Sequence, residues 1–334
     1  MFFAIIHTTM IIAMTKKEKS YIRWFAVLLA VMIGVISWLI QPHGYTCYDI
    51  ANISRIVKDA AKEDADTLQV FFMGDSEAKY AFSPLQLYKQ SGVTSYNFSS
   101  RAQRLYDTYE LLQLELQRQH PSLVILEANS FFRKPAMSDQ DNLLENQLIL
   151  NLPLLRYHNF YKASDHPRWL TKKMSSHRKF YKGFAAVYGI RPYKNAYSEK
   201  GKNSPSVFYA ENQEAADRIV SLCKDRQITL VIVSVPAPLN WNDKKAQLVA
   251  QWCKERDLKY LDLNQDIQAI GLNWKKDTQD GGDHLNIYGS QKVMNYLEVN
   301  LFARMHLADM RDDECIAPKW NQAVEDSGLY QEKK

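Results

Sequence analysis

The sequence predicts an α/β protein: a parallel β-sheet with helices on both faces. Three observations carry this. Short runs such as "TLQVFFMG" and "ITLVIVSVP" are apolar almost throughout and rich in β-branched and aromatic residues, as strands buried on both faces are. Stretches such as "RLYDTYELLQLELQRQH" place apolar residues at three- and four-residue intervals, the stripe of an amphipathic helix. The two kinds of segment alternate along the chain, which is the order a parallel sheet requires.

The elements follow in sequence. After a stalk and a helix within 41–66, "TLQVFFMG" is the first strand, closed by Gly74. "SPLQLYKQSG" is a short helix with Ser83 as N-cap, Pro84 at its first position and Gly92 past its end. "VTSYNFS" is the second strand, and the amphipathic helix after it stops at Pro121 before a third strand, "SLVILEANS". From about 133 to 208 the rhythm breaks. That interval holds no convincing strand and is rich in Tyr, His, Arg, Lys and Trp, among them His158, His166, Arg168, Trp169, His177 and Arg178. It reads as a helical insertion, a lid or docking surface. The alternation then resumes with "QEAADRIVSLCKDRQ", "ITLVIVSVP", "KKAQLVAQWCKERD" and "LKYLDLN", ending in the helix "GSQKVMNYLEVNLFARM". The domain is thus placed at 67–305, with a peripheral tail over 306–334.

Ahead of it, "YIRWFAVLLAVMIGVISWLI" (21–40) carries one charge, Arg23, and about 20 helical residues cross a bilayer's hydrocarbon core. Lys16, Lys17, Lys19 and Arg23 place residues 1–20 in the cytoplasm and everything after 40 outside. A cleaved signal peptide is the competing reading; no small-x-small site follows, which favours an uncleaved anchor. Met14 is a more natural start than Met1.

Composition excludes some functions. Lys plus Arg exceed Asp plus Glu by five (42 against 37), and no basic stripe with interleaved aromatics exists, so nucleic acid is not a partner. Neither GxGxxG nor a P-loop is present, so no cofactor is called for. The four cysteines, Cys47, Cys223, Cys253 and Cys315, have no metal-site spacing. Cys47 and Cys315 are a possible pair, whereas Cys223 and Cys253, each on a helix just before a strand, read as buried thiols. No His/Asp spacing matches catalytic zinc, so no metal is assigned.

Ligands of open α/β sheets bind outside the carboxyl ends of the strands. The polar segments there are "GDS", "NFSS", "EANS" and "PAPLNWN", with "DTQDGGDHLNIYG" before the last helix. A serine nucleophile needs a base, and the base an orienting partner. Ser76 and His284 supply the first two, and Asp280 or Asp283 the third. Asp280 is slightly favoured, because a glycine turn can fold it back. Asp75 reads as a loop-fixing residue and Asn286 as a helix cap; for His284 a capping role is the bland alternative.

Three blocks, "FFMGDSEAKYAFSPLQL", "YNFSSRAQRLYDTYELLQLELQRQHPSLVILE" and "DHLNIYGSQKV", make residues 68–300 resemble the SGNH/GDSL hydrolase superfamily. Within it the chain resembles the membrane-anchored extracytoplasmic branch, with relatives of the D-alanyl transfer protein of teichoic acid modification and of alginate-type O-acetyltransferases. The resemblance implies a three-layer SGNH (flavodoxin-like) fold, Ser76 as nucleophile and oxyanion donor, and His284 as base. It implies oxyanion donors at Ser99 or Ser100 in the second block and at Asn129 in the third, with Asn97 of the second block as a further oxyanion or substrate-binding residue. It further implies acyl transfer or ester cleavage on a cell-envelope polysaccharide or teichoic-acid-like polymer, and a membrane-bound O-acyltransferase as partner. Two positions depart from the family pattern: Gly281 stands where Asp-x-x-His needs aspartate, and serine replaces the second-block glycine. They leave room for a non-catalytic binding or assembly module.

Overall fold

The computed structural model describes residues 15–39, 56–57, 59–135, 179–197, 201–202 and 204–329. The chain divides into two compact units, 1–50 with 147–175, and 51–146 with 176–334. In the first, the described residues form one helix, α1 (Lys16–Leu39), which is long and apolar enough to cross a membrane. Its apolar side chains, among them Trp24, Phe25 and Leu28, are exposed.

The second unit holds a five-stranded sheet, β1 (Val70–Met73), β2 (Ser95–Asn97), β3 (Leu123–Glu127), β6 (Thr229–Ser234) and β7 (Lys259–Asp262). The order is β2-β1-β3-β6-β7 and every pairing is parallel. The period-2 alternation of strands divides their side chains between two cores. Phe71, Met73, Val124, Leu126, Leu230 and Ile232 face one; Val70, Phe72, Leu123, Ile125, Val231 and Val233 face the other. All are buried, and each such side chain contributes about 1.5–3 kcal/mol of hydrophobic stabilisation.

The first core takes its cover from α4 (Leu105–Glu115), α5 (Ala210–Asp225) and α6 (Asp243–Lys254). The second is covered by α2 (Ser76–Ala81) and α8 (Ile287–Asn300), with Ile270 of the short α7 (Ile267–Ile270). Between α2 and β2 lies α3 (Pro84–Ser91), with Ser83 as N-cap, Pro84 in the first turn and Gly92 left-handed at φ 71°. Cys223 and Cys253 are buried free thiols, and Cys47 lies outside the described residues.

Two expectations need correction. The interval 133–208 contains strands: β4 (Lys179–Tyr181) and β5 (Phe184–Ala186) pair antiparallel. The turn between them puts Lys182 (φ 51°) and Gly183 (φ 84°) both at positive φ, the primed geometry that matches strand twist. Lys-Gly is a weak turn signal beside Asn-Gly, and three-residue strands leave no periodicity to read. Residues 136–178, 198–200 and 203 of the insertion lie outside the described residues. The tail, for its part, is not peripheral: α9 (Ala317–Ser327) buries Trp320, 2% exposed, with its ring centroid 5.0 Å from that of Tyr88 on α3.

Candidate active site

Counting core strands only, the order is 2-1-3-4-5, so the chain reverses direction across the sheet between β1 and β3. The crevice at their carboxyl ends is where this topology places a ligand.

The segment leaving β1 is constrained by close packing. Gly74 has φ 145°, and a Cβ there would stand 2.7 Å from Cβ of Glu127 at the end of β3, so only glycine fits. Asp75 caps α2, its Oδ1 accepting the N–H of Glu77 at 2.9 Å. Ser76 is therefore the first helical residue, with a backbone N–H that has no intrahelical acceptor. Leaving β3, Ala128–Phe132 forms a single 3-10 turn that carries Asn129, whose N–H is taken by Oε1 of Glu127 at 2.9 Å.

His284 arrives on the loop before α8. Asn286 caps that helix, accepting from Tyr288 and Gly289 at 3.1 Å, while its own amide donates to the carbonyl of Lys276 at 2.7 Å. Thr278 pairs with Leu285 and donates its hydroxyl to the carbonyl of His284 at 2.9 Å. Between them Gly281 (φ 87°) and Gly282 (φ 102°) reverse the chain, which returns the carboxylate of Asp280 over the imidazole four residues later.

A continuous chain of contacts results. Oγ of Ser76 is 2.8 Å from Nε2 of His284. Nδ1 of His284 is 2.6 Å from Oδ2 of Asp280, whose Oδ1 accepts the His284 N–H at 2.8 Å. Asp283 stands farther from Nδ1, at 3.5 Å. A carboxylate on Nδ1 selects the tautomer with hydrogen there and leaves Nε2 an acceptor for the serine hydroxyl. Burial pushes the Asp280 carboxyl up, but its hydrogen bonds to the His284 ring and backbone outweigh this and hold it below the ordinary value. Tyr80 meets the other side of the ring edge-on, at 5.0 Å between centroids.

The remaining sequence candidates fall on both sides of the cleft wall. Asn129 lines a polar cleft of about 380 Å³ with Ser76, His284, Asp283 and Asn240. Asn97 does not line it: its Nδ2 is bonded to the carbonyls of Ala78 (2.9 Å) and Phe82 (2.8 Å), so the residue fastens the end of α2. That corrects the sequence assignment of Asn97 to substrate. The N–H of Ser99 goes to Oδ1 of Asn97 at 3.1 Å; Ser100 is buried and does not line the cleft either.

Four polar residues of the site have no motif to reveal them. Arg133 grips Oδ2 of Asp75 through Nε (3.1 Å) and a terminal nitrogen (2.7 Å). Glu77, 1% exposed, is pushed well above the ordinary range by burial and by the neighbouring carboxylates of Asp75, Asp283 and Glu127. Nδ2 of Asn240 bridges Oε1 of Glu77 (2.7 Å) and Oδ1 of Asp283. Lys245, 3% exposed, is lowered to about 8 by burial, against the pull of Glu127, Glu77 and Asp75. Lys245 does leave a trace in the sequence: it falls four residues before Val249 on the buried stripe of α6, where a charge is out of place. Glu77, Asp283 and His284 offer ligand atoms within 4.8 Å of one another. The amide of Asn240 takes one oxygen of each carboxylate, the imidazole nitrogens face Asp280 and Ser76, and Oε2 of Glu77 is buried without a hydrogen-bond partner.

No family model matches the sequence, and no curated protein matches it. Solved structures do. A GDSL-like lipase from Bacteroides thetaiotaomicron matches at 12% identity and TM-score 0.38, over 77% of this chain and 99% of that one. A psychrotrophic esterase from Pseudoalteromonas matches at 12% and 0.38, over 71% and 99%. A lipase/acylhydrolase from Enterococcus faecalis matches at 10% and 0.34, over 70% and 97%. Likenesses this distant say nothing of the chemistry, which rests on the cleft itself.

Proposed function

We propose that this chain is a serine acyltransferase or esterase working through an acyl-serine intermediate. The observation that carries the reading is the unbroken Ser76–His284–Asp280 contact chain, at 2.8 and 2.6 Å, opening on a cleft. Oγ of Ser76 attacks the acyl carbonyl as its proton passes to Nε2 of His284. The Ser76 N–H and the amide of Asn129 hold the oxyanion, and His284 then protonates the departing alkoxide. In the second half, His284 deprotonates an acceptor hydroxyl or water, which attacks the acyl-serine and releases Ser76.

The cleft bears on the substrate. Arg133, Lys134, Lys245, Asn129, Asn240 and Ser204 line it, with Phe132 and Pro205 the apolar exceptions. Such walls suit a short acyl group on a polar alcohol, not a long acyl chain. Together with a helix able to span a membrane, this supports an anchored enzyme facing the cell envelope. Its substrate would be the O-acyl, and specifically O-acetyl, groups of a surface polysaccharide or teichoic-acid-like polymer, with a membrane-bound O-acyltransferase as acyl supplier. A non-catalytic module has no need of a hydroxyl, imidazole and carboxylate in hydrogen-bonding sequence.

The test is trapping. The full-length chain in detergent is exposed to p-nitrophenyl acetate, quenched in acid and mapped by peptide mass spectrometry. An acetyl adduct on Ser76 is expected, lost in Ser76→Ala and accumulating in His284→Ala only if deacylation is slowed more than acylation. No adduct, or one that persists in Ser76→Ala, removes the proposal. Adding a polyol acceptor separates the two activities: an acetylated polyol marks transfer, acetate alone hydrolysis.

A further inference from the structure

The side-chain amide of Asn129 lies between opposite charges. Its Nδ2 donates to Oδ2 of Asp75 at 3.1 Å, and its Oδ1 faces Nζ of Lys245 at 3.4 Å. The reversed amide would set its N–H2 against the ammonium and its carbonyl oxygen against the carboxylate, unfavourable at both ends. Each charge is fixed independently of the asparagine. Arg133 holds Asp75. Lys245 is the third residue of α6, its N–H accepted by the cap Asn242 at 3.0 Å. Its Nζ donates to the carbonyl of Asn240 at 2.6 Å and to Oγ of Ser204 at 2.8 Å. The rings of Phe132 and Trp241 lie 5.1 and 5.9 Å from it. An ammonium so buried is costly unless its interactions are specific.

We infer that Lys245 is a positioning residue, locking the Asn129 amide with its N–H2 end toward Asp75 and Ser76, where it serves as oxyanion donor. This rests on the acyl-serine reading. The contact to Asn129 is the longest of the three that Nζ makes. A deprotonated amine keeps two hydrogens for the two nearer acceptors and has none left for Asn129, so the lock opens as Lys245 loses its proton. The charged groups around it are Glu127, Glu77 and Asp75, which favour the ammonium, and Arg133, which opposes it.

The experiment measures kcat and KM of the full-length chain on p-nitrophenyl acetate for wild type, Lys245→Met, Asn129→Ala and the double variant, from pH 6 to about 10. Lys245→Met is expected to lose about 10–100-fold in kcat with KM nearly unchanged. The double variant is expected to be no slower than Asn129→Ala, because the lysine acts through the asparagine. Wild-type kcat falls above about pH 8, and that fall is absent in both single variants. Unchanged kcat in Lys245→Met, losses that multiply in the double variant, or a rise in KM alone, as direct substrate binding would give, each overturns the inference. If Lys245→Met fails to fold, by circular dichroism, the pH profile of Asn129→Ala decides: a retained alkaline fall overturns it. Wild-type turnover that survives in Ser76→Ala, or no turnover at all, sinks the acyl-serine reading and the inference with it. Ser76-dependent turnover combined with any of the earlier failures sinks the inference alone.

Discussion

Asp280 and Asp283 both approach the same imidazole nitrogen, at 2.6 and 3.5 Å, and Asp280 also accepts the backbone N–H of His284. Asp283 is already engaged by Asn240. Asp280→Asn is therefore expected to lower kcat by about 10²–10⁴-fold, by losing both the tautomer preference and the charge that stabilises imidazolium. Asp283→Asn is expected to cost less than about tenfold. Steady-state rates on a small acetyl ester check both, and the reverse ranking would exchange the two roles. Ser76, His284 and the choice of Asp280 were legible because each lies at a strand's end or beside a glycine turn. Arg133 and Asn240 were not, since residues far apart in sequence meet there only through tertiary packing, and Lys245 showed only as a charge on the buried stripe of α6. Asn97 was misread for the converse reason: a motif position does not disclose that both amide hydrogens are spent on the carbonyls of α2.

At the scale of elements, the buried strands and the long helices were legible, their apolar runs being dictated by burial on two faces. The β4–β5 hairpin was hidden by its brevity and by the Lys-Gly turn. Helix α4 ends in Glu115, 4% exposed, a carboxyl at the negative end of the helix dipole. Burial pushes it up to about 7, with Arg118 pulling it down. Its native value is raised above the unfolded one, so its contribution to stability is full below the ordinary value of 4.5 and is lost as pH rises towards about 7. Glu115→Gln is expected to match wild type near pH 4 and to exceed it at pH 8, by on the order of 1–3 kcal/mol. Chemical denaturation at the two pH values measures this; equal stability at pH 8 refutes it.

Across the whole second unit, the C-terminal segment closes on the first half of the fold. Trp320 packs on Tyr88, and the Nζ of Lys182, in the hairpin turn, lies 4.2 Å from the Trp320 ring centroid while pairing with Glu63 at 2.8 Å. Trp320→Ala is expected to cost about 3–5 kcal/mol, read from the urea midpoint, where a surface-like loss below about 0.5 kcal/mol would return the tail to the periphery. The tail's role was not legible because its helix is mostly polar, with only Ala317, Trp320 and Ser327 buried. One consequence of the layout concerns the order of synthesis. Ser76 and His284 are 208 residues apart in the chain, and the glycine turn that aims the imidazole is held by α8. A nascent or truncated chain ending before Asp280 owns Ser76 with neither imidazole nor carboxylate, so on the proposed mechanism acylation of Ser76 waits for the C-terminal part of the unit. Reactivity of Ser76 toward an acylating probe thus doubles as a clock for completed folding.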